Sequence, residues 1–192
     1  MTEFRSRRQG AVYVVLAPPF AALLANLTRQ LIELLRDGEA TTSEDPLEAM
    51  VGMDGPRDVP DDPALLRLLP DAHREDPDAS SEFRRLTERT LRDSKVNDAT
   101  VLLETLDVTD GSAAGDDEDE ADYEFELDRE QVRSWLRCIT DLRLTLAERL
   151  GVTVDDDEYW AALEPDDERL PVYEIYGWLG YLLESLLDAA QK

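Results

Sequence analysis

The sequence predicts a mainly α-helical single domain over residues 1–192, with a small two-stranded β ribbon and long acidic loops. Three observations carry that prediction. Leucines recur at helical spacing in several long segments. Only AVYVVLA at 11–17 and YEFEL at 123–127 have strand character, so each is the other's expected partner. The segments 38–62 and 107–122 are rich in small and acidic residues and poor in large apolar ones, which predicts mobile acidic loops.

Residues 1–9 are polar and basic and read as a frayed start. The β-branched run 11–17 follows, and Pro18 and Pro19 suit the first turn of a helix, where a missing N–H costs nothing. Leu23, Leu24, Leu27, Leu31, Leu34 and Leu35 keep helical spacing up to Gly38. Within the first loop, Pro46–Met53 is expected to form a helical turn. PALLRLL at 63–69 is a short helix that Pro70 ends. A long helix is predicted from Ser80 to Leu106, anchored by Phe83, Leu86, Leu91, Leu102 and Leu106, with a bend near Lys95–Asn97. The run DDEDE in the second loop repels itself.

YEFEL alternates apolar and acidic residues, the mark of a half-buried strand. Asp128 is then a good N-cap, with Gln131 placed to complete a capping box. The helix so started runs from Arg129 to Leu150, and Gly151 sits where a helix-ending glycine belongs. A short acidic helix is expected at Asp155–Leu163 and a last one at Asp167–Ala190, striped by Tyr173, Tyr176, Leu179, Leu183, Leu186 and Leu187. An offset of 111 residues superimposes the two strand–helix units, Leu24 on Trp135, Leu27 on Cys138 and Leu31 on Leu142.

Charge narrows the function. Asp and Glu number 45 against 20 Lys and Arg, a formal net charge of −25. Phosphate binding draws on cations, so this balance opposes direct nucleic-acid binding and an anionic membrane surface. Arginines 5, 7 and 8 before the apolar run 11–25 resemble a signal peptide, but the run is too short to span a bilayer and two prolines break it. A cytoplasmic protein is expected. A single Cys and a single His exclude an intramolecular disulfide and a Cys/His zinc site.

Catalytic constellations are sparse, and no enzyme or cofactor is expected. His73 lies in a polar loop, HREDPD, and reads as a surface histidine. Calcium loops beginning at Asp110 or Asp155 fail: the first has Ala121 where a bidentate acid belongs, the second Trp160 where glycine belongs. Cys138 shares an apolar helix face with Trp135, Leu142 and Leu146, which predicts a buried, inert thiol; it is also the one candidate redox residue. Asp141, Arg143 and Arg149 decorate the same helix and are expected as solvated surface or in ion pairs with helix neighbours. Arg143, Arg149 and Trp178 are the candidate partner contacts. Aromatics Trp160, Tyr173, Tyr176, Trp178 and Tyr181 gather near the C-terminus; core packing is expected of them, and an exposed remnant would mark a partner site, a homodimer through the C-terminal helices being one such arrangement.

DLRLTLAERLGVTVDDDEYW and VYEIYGWLGYLLESLLDA, together with RSRRQGAVYVVLAPPFAALLANL and EFRRLTERTLRDSKVNDATVLLETL, resemble the actinobacterial domain-of-unknown-function family 2017. Its members include proteins called actinomycete oxidative-stress regulators. The resemblance implies a cytoplasmic regulator that aids transcription through contacts with a sigma factor or RNA polymerase, switched by a cysteine pair. It also implies an alternative, an accessory or adaptor linked to Clp proteolysis, because family genes tend to lie near that of a Clp adaptor. This chain departs from the switch: Ser134 and Leu142 stand four residues either side of Cys138, which has no partner cysteine.

Overall fold

The computed structural model describes residues 2–37, 59–73, 75–110, 121–154 and 156–192. The chain is mainly helical. Strands β1 (Thr2–Ser6) and β2 (Val12–Leu16) lead into helix α1 (Pro18–Arg36). Helices α2 (Pro63–Leu68) and α3 (Pro77–Asp110) follow, then strand β3 (Tyr123–Leu127) and helix α4 (Arg129–Leu150). The short α5 (Asp157–Ala161) and the long α6 (Leu170–Gln191) complete the described chain.

The expected ribbon is a three-stranded antiparallel sheet in the order β1-β2-β3. The predicted pairing of β2 with β3 is present, Val12 opposite Leu127 and Val14 opposite Phe125. Strand β1 stands where residues 1–9 were expected to be a frayed start. Thr2 to Ser6 is polar because β1 is an edge strand. Its Phe4 lies opposite Val14 and packs on the core, while Arg5 grips Glu3 outside. The hairpin between β1 and β2 turns through Gln9 and Gly10, both at positive φ, which glycine tolerates at no steric cost.

Val12, Val14 and Leu16 turn one face of β2 inward, into a core they share with Leu24, Leu31, Leu102, Trp135 and Leu182. Trp135 settles its one polar atom by donating to Thr105 Oγ1 at 2.9 Å. Helix α4 runs through the middle and packs on α6, α3 and α2. Its ends are as the sequence predicts. Asp128 and Gln131 form the reciprocal capping box, and Gly151 closes the helix at φ 69°.

Helix α3 departs most from expectation. It starts earlier, at Pro77 behind the Asp76 side chain, and is helical through residues 107–110, which were assigned to a loop. The stretch Lys95–Asn97 stays helical. Leu102 and Leu106 are buried as predicted, but Phe83, Leu86 and Leu91 are exposed. The inward face of this half carries charges instead. Arg84, Glu88 and Arg92 are nearly solvent-free and form a ladder, Arg84 to Glu88 at 3.1 Å and Arg92 to Glu88 at 2.8 Å. Arg92 donates to the carbonyls of Leu35 and Asp37 at the end of α1, and Arg84 to that of Leu69 just past α2. The two arginines thus satisfy the carbonyls that helix ends leave without partners. That need outranks the apolar pattern. The expectations for Pro46–Met53 and the DDEDE run lie outside the described residues.

Candidate functional site

Helix α4 has three flanks, and the candidate residues are divided among them. The buried flank holds Val132, Trp135, Cys138, Ile139 and Leu142. Cys138 is fully buried, as predicted. Burial pushes its thiol up to about 12, against the lowering pull of a hydrogen bond with Thr28; the charges of Asp141 and Asp98 add to the rise. A thiolate is the reactive form, so this sulfur is shielded from oxidants twice, by packing and by protonation.

On the flank that faces α3, every charge has a partner. Lys95 Nζ lies 2.7 Å from Asp141, and Arg137 lies 3.1 Å from Asp98. Asp98 also accepts from the Ser134 hydroxyl at 2.7 Å. Asp141, expected as solvated surface or in a pair with a neighbour on its own helix, is buried. The expectation failed because Lys95 comes from another helix, and only with that partner can the carboxylate be buried. Burial still outweighs Lys95 and holds Asp141 above the ordinary carboxylate range.

On the flank that faces α6, Arg143 lies across the Tyr176 ring, 4.7 Å from its centroid. Behind it is Gly180, where an added Cβ would stand 3.3 Å from the guanidinium carbon and from Nη2. Arg143 has no ion pair or hydrogen bond among the described residues, and its Nε is buried without a partner. It borders a groove of about 300 Å³ between α2, α4, α6 and the 152–154 turn. Arg67 of α2 forms another part of the lining, and Leu144, Val152 and Leu183 supply apolar surface. Tyr176 is one rung of an aromatic ladder. Tyr173 stands 6.0 Å from it, and Trp160 stacks on Tyr173 at 4.4 Å with the rings 5° from parallel.

The remaining candidates fall elsewhere. Arg149 pairs with Asp62 at 2.5 Å, so it ties α4 to the start of α2. Burial raises the Asp62 carboxyl, but Arg149 and the Ala64 and Leu65 N–H groups lower it more. Trp178 is half-buried and stacks on Phe20 at 5.4 Å. His73 is exposed as expected, its backbone held by Ser80. The sequence singled out Arg143 but could not supply Arg67 or Gly180, which lie in separate segments. Among the described residues no cluster of His, Cys, Asp and Glu is placed to hold a metal ion, and no helix is long and apolar enough to cross a membrane.

Fold and site together define a mainly helical protein whose buried charges are paired among the described residues. The chain belongs to the family described as Domain of unknown function (DUF2017), whose model matches residues 1–190. It is 32% identical over 196 residues to a Mycobacterium leprae protein named AosR, covering 91% of this chain and 80% of that one. It is 33% identical over 187 residues to the oxidative stress regulator AosR of Mycobacterium bovis and to that of Mycobacterium tuberculosis H37Rv, covering 90% of this chain and 78% of each relative. No solved structure matches the chain.

Proposed function

We infer that this protein is a cytoplasmic, non-enzymatic regulator of the oxidative-stress response, acting on transcription through contacts with a sigma factor or RNA polymerase. The observation that carries the reading is the likeness, over nine-tenths of the chain, to proteins named oxidative stress regulators. The charge of −25 supports a docking role, since an acidic surface speeds encounter with a basic one. The lone, buried and protonated Cys138 sets a limit on the mechanism. A peroxide response through Cys138 would need the buried thiol to become accessible and, with no second cysteine in the sequence, a disulfide to another molecule.

The test is affinity purification of the tagged protein from host lysate, with and without peroxide, followed by reconstitution with purified polymerase and sigma factor. Recovery of either, with binding that weakens steeply between low and high salt, is the expected result. Recovery of Clp components in their place assigns the protein to proteolysis and overturns the reading.

A further inference from the structure

The groove beside Arg143 has a chemistry of its own. Nearly a quarter of the chain is acidic, yet among the described residues no carboxylate lines this groove. Other described arginines of restricted exposure have carboxylate partners: Arg84 has Asp71 and Glu88, Arg85 has Glu82, and Arg92 has Glu88. Arg143 has none. Its place is nevertheless built. Tyr176 holds one side of the guanidinium, and the missing side chain of Gly180 makes room for the other. A fork held flat in this way, with its donors unused, is pre-organised for a planar anion.

We propose that this groove binds an acidic peptide segment of a partner protein. One carboxylate side chain sits on the Arg143 fork, and an adjacent apolar side chain fills the space between Val152 and Leu183. Arg67 adds a second positive charge at the lining. The proposal deepens the docking reading above and rests on it only in taking the ligand to be a protein. The net charge does not forbid it. Repulsion from distant carboxylates is screened beyond about 8 Å at physiological salt, whereas the fork touches its anion directly. Salt weakens the contact at the half-buried fork but also relieves the long-range repulsion, so binding here falls less steeply with salt than acidic-surface docking.

The probe is a set of fluorescein-labelled pentapeptides with a central Glu between two Leu, Val or Phe residues, each matched by a Gln version. Anisotropy is measured on the full chain. At least one Glu peptide is expected to bind tenfold or more tighter than its Gln version, as a charge-assisted bond implies. Arg143→Gln abolishes that preference. Arg143→Lys, which keeps the charge but not the fork, loses most of it. Gly180→Ala weakens it, and Gly177→Ala, where an added Cβ meets nothing within 4 Å, leaves it intact. Circular dichroism confirms that each variant is folded. Equal binding of Glu and Gln peptides, no binding of any, or a preference that survives Arg143→Gln overturns the proposal. Displacement by free propionate at the same concentration as peptide makes this a small-anion site and overturns the peptide occupant. A concentration-dependent dimer lost in Arg143→Gln puts a second copy there and does the same. Failure here with salt-sensitive polymerase binding intact leaves the regulatory reading standing.

Discussion

On the flank of α4 that faces α3, Asp141 meets Lys95 at 2.7 Å, and Asp98 meets both Arg137 and Ser134. On the flank that faces α6, Arg143 meets an aromatic ring and no carboxylate. Asp141 and Arg143 are two residues apart on one helix, so their treatment differs because of what faces them. A buried carboxylate without a cation is costly, and α3 supplies the cation. A guanidinium on a tyrosine face is tolerated without an anion, because the ring's quadrupole attracts it and its half-exposed fork still reaches the groove and water. The first flank borders a groove too, of about 270 Å³, but its charges are paired within the chain. On the second the guanidinium has no carboxylate among the described residues, and that is why the binding role is proposed there.

The comparison breaks most visibly at Lys95. Lys95→Met leaves Asp141 buried without its cation and is expected to cost about 3 kcal/mol at neutral pH. The pH dependence has a definite sign. Without Lys95, burial raises the folded-state carboxyl still further above its unfolded value. The folded state then keeps a proton that the unfolded state releases, so the loss grows as pH rises through the unfolded value, near 4, toward the folded one. Urea unfolding at pH 4 and pH 7 checks it, the smaller loss being at pH 4. Adding Asp141→Leu to the variant is expected to recover most of the stability, since an apolar pair removes the stranded charge. A loss of equal size at both pH values would mean that Lys95 acts through packing alone.

Cys138, on the face between the two flanks, gives the next largest effect. Its folded-state value is about 12 against 9.0 for a free thiol. Between those values the unfolded chain releases a proton that the folded chain holds, so this group's contribution to stability falls as pH rises. At pH 10.5 the loss is about 2 kcal/mol by linkage. The check is the stability difference between the wild-type chain and Cys138→Ala, measured at pH 7 and pH 10.5. The wild type is expected to lose more of its stability over that interval. A matching readout is iodoacetamide, which is expected to label Cys138 only after unfolding.

Much of this contrast was legible in the sequence, and the part that was not has a physical reason. The capping box at Asp128, the closing Gly151, the β2–β3 pair and the buried Cys138 follow from local pattern, and all are present. Asp141, Arg84, Glu88 and Arg92 defeated pattern reading because a charge is assigned to solvent unless its partner is visible. Lys95 lies 46 residues from Asp141, and the carbonyls that Arg92 satisfies lie 55 and 57 residues away. Strand β1 was missed because an edge strand need not look apolar. Arg143 was visible as a residue, but the groove was not, because it is assembled from α2, α4 and α6.

The two glycines of α6 sharpen the comparison at a smaller scale. Gly177→Ala is expected to stabilise the chain by about 0.5–1 kcal/mol, since alanine is the better helix former and the site is open. Gly180→Ala gains less, because the new methyl must shift the Arg143 fork by a few tenths of an ångström and weakens a cation–π contact worth about 0.5–1 kcal/mol. Urea midpoints measure the difference, and the Tyr176 ring resonances report whether the fork has moved. Equal gains with unchanged resonances would show that Arg143 is not seated as described.

The smallest effect is expected at Arg149. It stands six residues beyond Arg143 and was grouped with it as a candidate contact, but its anion is in hand, Asp62 at 2.5 Å. Asp62 also caps α2 through Ala64 N–H at 2.7 Å, so the two roles of that carboxylate can be separated by mutation. Arg149→Gln removes only a surface ion pair and is expected to cost no more than about 0.5 kcal/mol, less still in high salt. Asp62→Ala removes the cap as well and is expected to cost about 1 kcal/mol, a difference that salt does not erase. Thermal unfolding of both variants at low and high salt checks the pair. If Arg149→Gln also left peptide affinity unchanged where Arg143→Gln abolished it, the binding role on α4 would narrow to Arg143, the arginine whose anion has to come from outside the described chain.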